Sequence, residues 1–134
     1  MQPITYSQPE RRSAADSFLC GAPRILNTGG CGHVFDAIPR WIQEKSPATT
    51  ELWAPDVSFE HGEYRLYYAY SLFGKNTSWI ALATNKTLDP KSPDYQWVDH
   101  GLVLESKASD DFNAIDPNYI EDAQHRAWLS FDSA

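Results

Sequence analysis

The chain has 134 residues, 18 of them acidic and 11 basic, giving a net charge of −7, and 42% are hydrophobic. That length fits one domain. The acidic balance, without any Lys/Arg cluster, argues against a nucleic-acid partner, and no apolar run is long enough for a membrane-spanning helix. Met1 to Phe18 carries Glu10-Arg11-Arg12 with no apolar stretch behind it, so no signal peptide is expected.

Five Trp, seven Tyr and six Phe are many for this length and point to aromatic-rich strands or a sugar-stacking surface. Core packing is the commoner role for any one of them. Cys20 and Cys31 either pair or stay free thiols, and nothing around them has a metal or redox pattern. Asn76-Thr77-Ser78 and Asn85-Lys86-Thr87 fit the glycosylation tripeptide.

Residues 1–31, rich in Gln, Pro, Ser, Arg and Gly, read as a loop-rich or poorly ordered segment ahead of a domain over 32–134. Ile38 to Lys45 predicts a helical turn with Pro39 at its first position. Ala54 to Phe59 reads as a strand ended by the turn signal Glu60-His61-Gly62. Glu63 to Tyr70 is a second strand. Ser78 to Thr84, short and nearly all apolar, predicts a third that is buried on both faces. Asn85 to Tyr95 is a loop, and Gln96 to Glu105 the fourth strand. Four antiparallel strands joined in succession describe one propeller blade.

The pattern then restarts, with strands at Asp116 to Ile120 and His125 to Phe131. Arg65-Leu66-Tyr67-Tyr68-Ala69-Tyr70 lines up with Arg126-Ala127-Trp128-Leu129-Ser130-Phe131, a repeat of roughly 60 residues. The fold expected is therefore all-β, a propeller fragment of about one and a half four-stranded antiparallel blades. Such a fragment leaves strand edges and a blade face exposed. The expectation is a truncated reading frame or association with further copies, truncation being the simpler account.

Val34-Phe35-Asp36-Ala37-Ile38-Pro39, Trp53-Ala54-Pro55-Asp56-Val57-Ser58, Leu66-Tyr67-Tyr68, Phe73-Gly74-Lys75-Asn76-Thr77-Ser78, Phe112-Asn113-Ala114-Ile115-Asp116-Pro117-Asn118 and Trp128-Leu129-Ser130-Phe131 occur in order. Together they resemble the arabinanases of glycoside hydrolase family 43. The resemblance implies a five-bladed propeller and inverting hydrolysis of α-1,5-linked arabinan. Inversion needs a general base to activate water and a general acid to protonate the leaving oxygen. It further implies a third carboxylate that holds up the acid's pKa by like-charge repulsion.

By this resemblance Asp116 is the pKa-setting carboxylate, Trp53 and Phe73 stack on the sugar, and Gly74, Asn113 and Ile115 line its pocket. The family's base, in a His-Asp-Pro motif, has no counterpart in residues 1–52, and the acid would lie beyond Ala134. A central calcium, common in the family, has its histidine outside this chain, so no cofactor or metal is expected here. His33, His61, His100 and His125 lack ligand spacing. Asp56 reads as a hydrogen-bonding group within its blade, and Asp110 and Asp111 as a solvated pair. The partner implied is arabinan or an arabino-oligosaccharide, and the family is usually secreted or periplasmic. Two alternatives stand beside the hydrolase: a non-catalytic sugar-binding fragment, and an arabinofuranosidase or β-xylosidase of the same family.

Overall fold

A computed structural model of the chain describes residues 34–49, 51–72 and 74–132. The segment 1–31, Cys20, Cys31, His33 and Phe73 lie outside the described residues. One helix, α1 (Arg40–Lys45), precedes six strands: β1 (Trp53–Glu60), β2 (Glu63–Ser71), β3 (Ser78–Asn85), β4 (Val98–Ser106), β5 (Ile115–Glu121) and β6 (Ala127–Asp132). β1 to β4 form one antiparallel sheet in sequence order, and β5 pairs with β6 in a second.

Local chemistry explains most boundaries. His61 and Gly62 join β1 to β2 with φ of 52° and 85°. Successive positive φ values give the turn whose twist suits a two-residue antiparallel hairpin. Pro39 stands one place before the helix instead of at its first position. Its carbonyl accepts the N–H groups of Ile42 at 3.0 Å and Gln43 at 3.2 Å. Its own missing N–H costs nothing there.

The first sheet is covered on both faces because side chains alternate along its strands. Leu66, Tyr68 and Tyr70 of β2, with Trp79, Ala81 and Ala83 of β3, pack with Ile42 and Leu52 and with the half-buried Phe35 and Trp41. The opposite face presents Ala69 and Ile80, which bury with Ala114 against Ile115, Leu129 and Phe131. Helix α1 and the β5–β6 ribbon thus occupy opposite sides of one sheet. This is why β3 is buried along nearly its whole length and nearly all apolar, as predicted.

Asp99 ties the helix side together. Its carboxylate accepts the Trp41 indole N–H at 2.7 Å, the Tyr68 hydroxyl at 2.9 Å and the Gly101 N–H at 3.0 Å. Burial, then the neighbouring Asp99 charge and hydrogen bond, push the Tyr68 phenol far above its ordinary value. The hydroxyl therefore stays a donor. Asn85 is buried and its side-chain oxygen accepts the Gln96 N–H at 3.0 Å, so this second glycosylation tripeptide sits in packed structure.

The ribbon repeats the first hairpin. Trp53 pairs with Ala69 and Asp56 with Tyr67, leaving Ala54 and Pro55 opposite one residue. Ile115 pairs with Asp132 and Asn118 with Ser130, leaving Asp116 and Pro117 in the same bulge. Ala54 and Asp116, each before a proline, have φ of 47° and 51°. The ladders set Leu66 against Leu129 and Arg65 against Trp128 as equivalents. The Arg65–Arg126 match predicted from sequence is two residues out of register. That slip leaves every side chain on its proper face.

Asp122 closes the ribbon's turn. Its carboxylate is held down to about 2, from an ordinary 3.8, chiefly by the Arg126 backbone N–H and then by the Trp128 indole N–H. The Arg126 guanidinium at 2.7 Å and the Gln124 N–H at 2.9 Å add to this. A depressed folded-state pKa stabilises above the unfolded value and loses that contribution as pH falls through the folded one. The Trp128 indole N–H resonance is expected to shift between about pH 4 and pH 2, and Asp122→Asn should abolish that transition.

Candidate functional site

In an antiparallel sheet with strands in sequence order, the starts of β1 and β3 and the ends of β2 and β4 fall at one end. Trp53 opens β1, Gly74 sits in the β2–β3 loop, and Asn113, Ile115 and Asp116 lie where the chain passes from β4 into β5. That topology, with the Ser78–Asn113 and Ser106–Ala114 hydrogen bonds that hold the β4–β5 link to the same end, gathers the described candidates there. β5 packs against β1 and β2, which places Asp116 beside the first unit.

Asp116 is exposed, while Pro117 after it is buried. Left-handed backbone is uncommon for a non-glycine residue and is further disfavoured before proline. Such a residue costs of order 1–3 kcal/mol and persists only where its surroundings enforce it. Ala54 adopts the same conformation, so the strain belongs to the repeated bulge. What is particular to the second unit is a carboxylate at that place.

The approach to Asp116 is fixed by a hydroxyl–amide network. The buried Ser78 hydroxyl donates to the Asn113 side-chain oxygen at 2.5 Å and lies 2.9 Å from that of Ser71. The buried Ser106 hydroxyl accepts the Ala114 N–H at 3.0 Å. Asn76 donates to the Asp110 carbonyl at 2.8 Å, and the Asp110 carboxylate accepts the Lys107 N–H at 2.8 Å. Asp110 is thus a loop fastener, a correction to its reading as a merely solvated partner of Asp111.

The structure places the remaining candidates as follows. Ile115 is half-buried and packs on the Ala69–Ile80–Ala114 cluster. The side-chain oxygen of Asn113 is occupied within the network. Trp53 is half-buried opposite Ala69. Gly74 is exposed with φ of 74°, and no atom stands within 4 Å of where a Cβ would lie. Glycine serves the backbone conformation at this position.

Sequence reasoning missed the destination of Asp56. Its carboxylate reaches out of its own sheet and accepts the Tyr119 backbone N–H of β5 at 2.7 Å. The hydrogen bond within the blade expected from sequence is replaced by one between units. Partial burial, then a hydrogen bond to Glu60 of β1, pushes the Tyr119 phenol up to about 12. Tyr119 is bound to β1 through its backbone N–H. The echo of Pro55-Asp56 in Pro117-Asn118 was the available signal. Among the described residues no group of three or more His, Cys, Asp or Glu side chains is gathered so as to hold a metal ion.

Residues 27–134 match Glycosyl hydrolases family 43. The chain is 48% identical over 101 residues to the extracellular exo-alpha-(1->5)-L-arabinofuranosidase of Cellvibrio japonicus, covering 74% of this chain and 29% of that protein. It is 38% identical over 107 residues to the extracellular endo-alpha-(1->5)-L-arabinanase 1 of Bacillus subtilis, covering 69% of this chain and 32% of that one. The structure superposes on the Cellvibrio cellulosa alpha-L-arabinanase complexed with arabinohexaose with a TM-score of 0.72 and 46% identity, over 75% of this chain and 33% of that one. The Bacillus licheniformis endo-arabinanase gives 0.68 and 40%, over 78% and 35%. The chain thus spans about a third of the length of these relatives. With the match running across the whole described region, the chain belongs to glycosyl hydrolases family 43.

Proposed function

We propose that this chain is part of an arabinan-hydrolysing enzyme and supplies one of its three active-site carboxylates, Asp116. The observation that carries the reading is an exposed carboxylate in left-handed backbone, at the sheet end that also holds Trp53, Gly74 and Asn113. Inverting hydrolysis needs a base on one face of the sugar and an acid on the other. Asp116 is neither. Its negative charge beside the acid disfavours a second anion, so the acid keeps its proton toward neutral pH.

The base and acid come from other blades of the ring, and this segment binds the sugar without cleaving it. Trp53 offers a flat apolar face to the sugar's C–H groups. The arabinohexaose complex of the Cellvibrio neighbour supports an arabino-oligosaccharide as ligand. Relatives include exo- and endo-acting enzymes, so the proposal extends to the α-1,5 linkage and leaves the mode of attack aside. The extracellular relatives support an extracellular site of action.

Calorimetric titration with arabinohexaose, alongside an assay for reducing ends, tests this division of labour. The expected result is heat of binding for arabinohexaose, none for xylohexaose, and no reducing ends. Reducing ends released by the chain alone would place acid and base within it and overturn the reading.

A further inference from the structure

The contact between Asp56 and Tyr119 joins two units that no strand ladder connects. β5 is hydrogen-bonded along its length only to β6, so its opposite edge offers N–H groups toward β1. Tyr119 is half-buried, and a buried N–H without a partner is costly. Asp56 supplies the acceptor at 2.7 Å from a position 63 residues earlier in the chain.

We propose that Asp56 is a positioning residue, a backbone acceptor that latches β5 onto β1 and thereby fixes where Asp116 stands. Tyr119 follows Asp116 on the same short strand, so a shift at one moves the other. Asn118 occupies in the second unit the place that Asp56 holds in the first, immediately after the bulge proline. An aspartate and an asparagine share a side-chain carbonyl oxygen and differ in charge. An asparagine at position 56 would therefore keep the acceptor oxygen and lose only the charge.

The latch stands without the proposed function. Its catalytic consequence rests on that reading. Amide hydrogen exchange on the 134-residue chain tests the latch directly. Asp56→Ala is expected to speed exchange at Tyr119 by roughly 10- to 100-fold, while the Leu66 and Ile80 amides keep their protection. Asp56→Asn is expected to leave Tyr119 protected. An unchanged Tyr119 in Asp56→Ala, equal loss at Leu66 and Ile80, or a deprotected Tyr119 in Asp56→Asn would each overturn the proposal. Should Asp56→Ala fail to fold, the asparagine variant decides alone.

The consequence is read in the Cellvibrio cellulosa arabinanase with its matching segment replaced by residues 34–132. There Asp56→Ala lowers kcat with KM little changed, and Asp56→Asn restores it. If Asp116→Asn leaves kcat untouched in the same hybrid, the enzyme reading fails while the exchange result still judges the latch.

Discussion

In that hybrid arabinanase, Asp116→Asn lowers kcat at neutral pH by roughly 10²–10⁴-fold, with a much smaller change in KM. The size follows from losing general-acid assistance. Under the proposed function Asp116 would exert like-charge repulsion on the acid, and removing it would let the acid's pKa fall. Less of the acid is then protonated at neutral pH. The alkaline limb of the kcat profile moves to lower pH, so the loss shrinks in acidic buffer. Asparagine tolerates left-handed backbone about as well as aspartate, so the bulge at φ of 51° survives the change. Asp116→Val would mix this chemistry with backbone strain. A rate and an alkaline limb both unmoved by the asparagine variant would remove Asp116 from the mechanism.

Much of the blade was legible because its strands obey local rules. The run from Trp79 to Ala83 is apolar at every step since helix α1 packs on one of its faces and the β5–β6 ribbon on the other. His61-Gly62 announced its hairpin through the turn chemistry alone. The second hairpin was harder. Ala123, Gln124 and His125 fill its turn where two residues fill the first, and matching Arg126 to Arg65 set the register wrong. Residue likeness gave the right faces, and only the ladder gives the right partners.

The site was legible in type and less so in wiring. Asp116 stood out through a motif, yet a residue before proline is biased away from left-handed backbone. Local sequence therefore argued against the conformation found. Its twin at Ala54 shows that tertiary context, repeated in each unit, imposes it. Asn113 read as a pocket residue, and its oxygen is spent on Ser78 across 35 residues of chain. Asp56 read as internal to its blade. Hydrogen bonds of such long range leave no periodic trace along a sequence.

Ile80→Ala tests the seam on which this placement depends. Ile80 is fully buried near the start of β3, on the face away from helix α1, where it meets Ala69 and Ala114. Ile115, Leu129 and Phe131 of the ribbon close over the same cluster. The two alanines let the backbones approach, so Ile80 is the large side chain that fills the space between units. Its truncation is expected to cost about 2–5 kcal/mol, from lost transfer energy and an unfilled cavity. A domain of this size has only about 5–15 kcal/mol in all. The midpoint of denaturant unfolding should fall accordingly, and the slope should hold if unfolding stays two-state. The Tyr119 amide should lose protection with it, because the ribbon is held by this cluster as well as by Asp56. Should Ile80→Ala lower the midpoint only marginally, the two units would be joined chiefly by polar contacts, and Asp116 would owe its position to Asp56 with little help from packing.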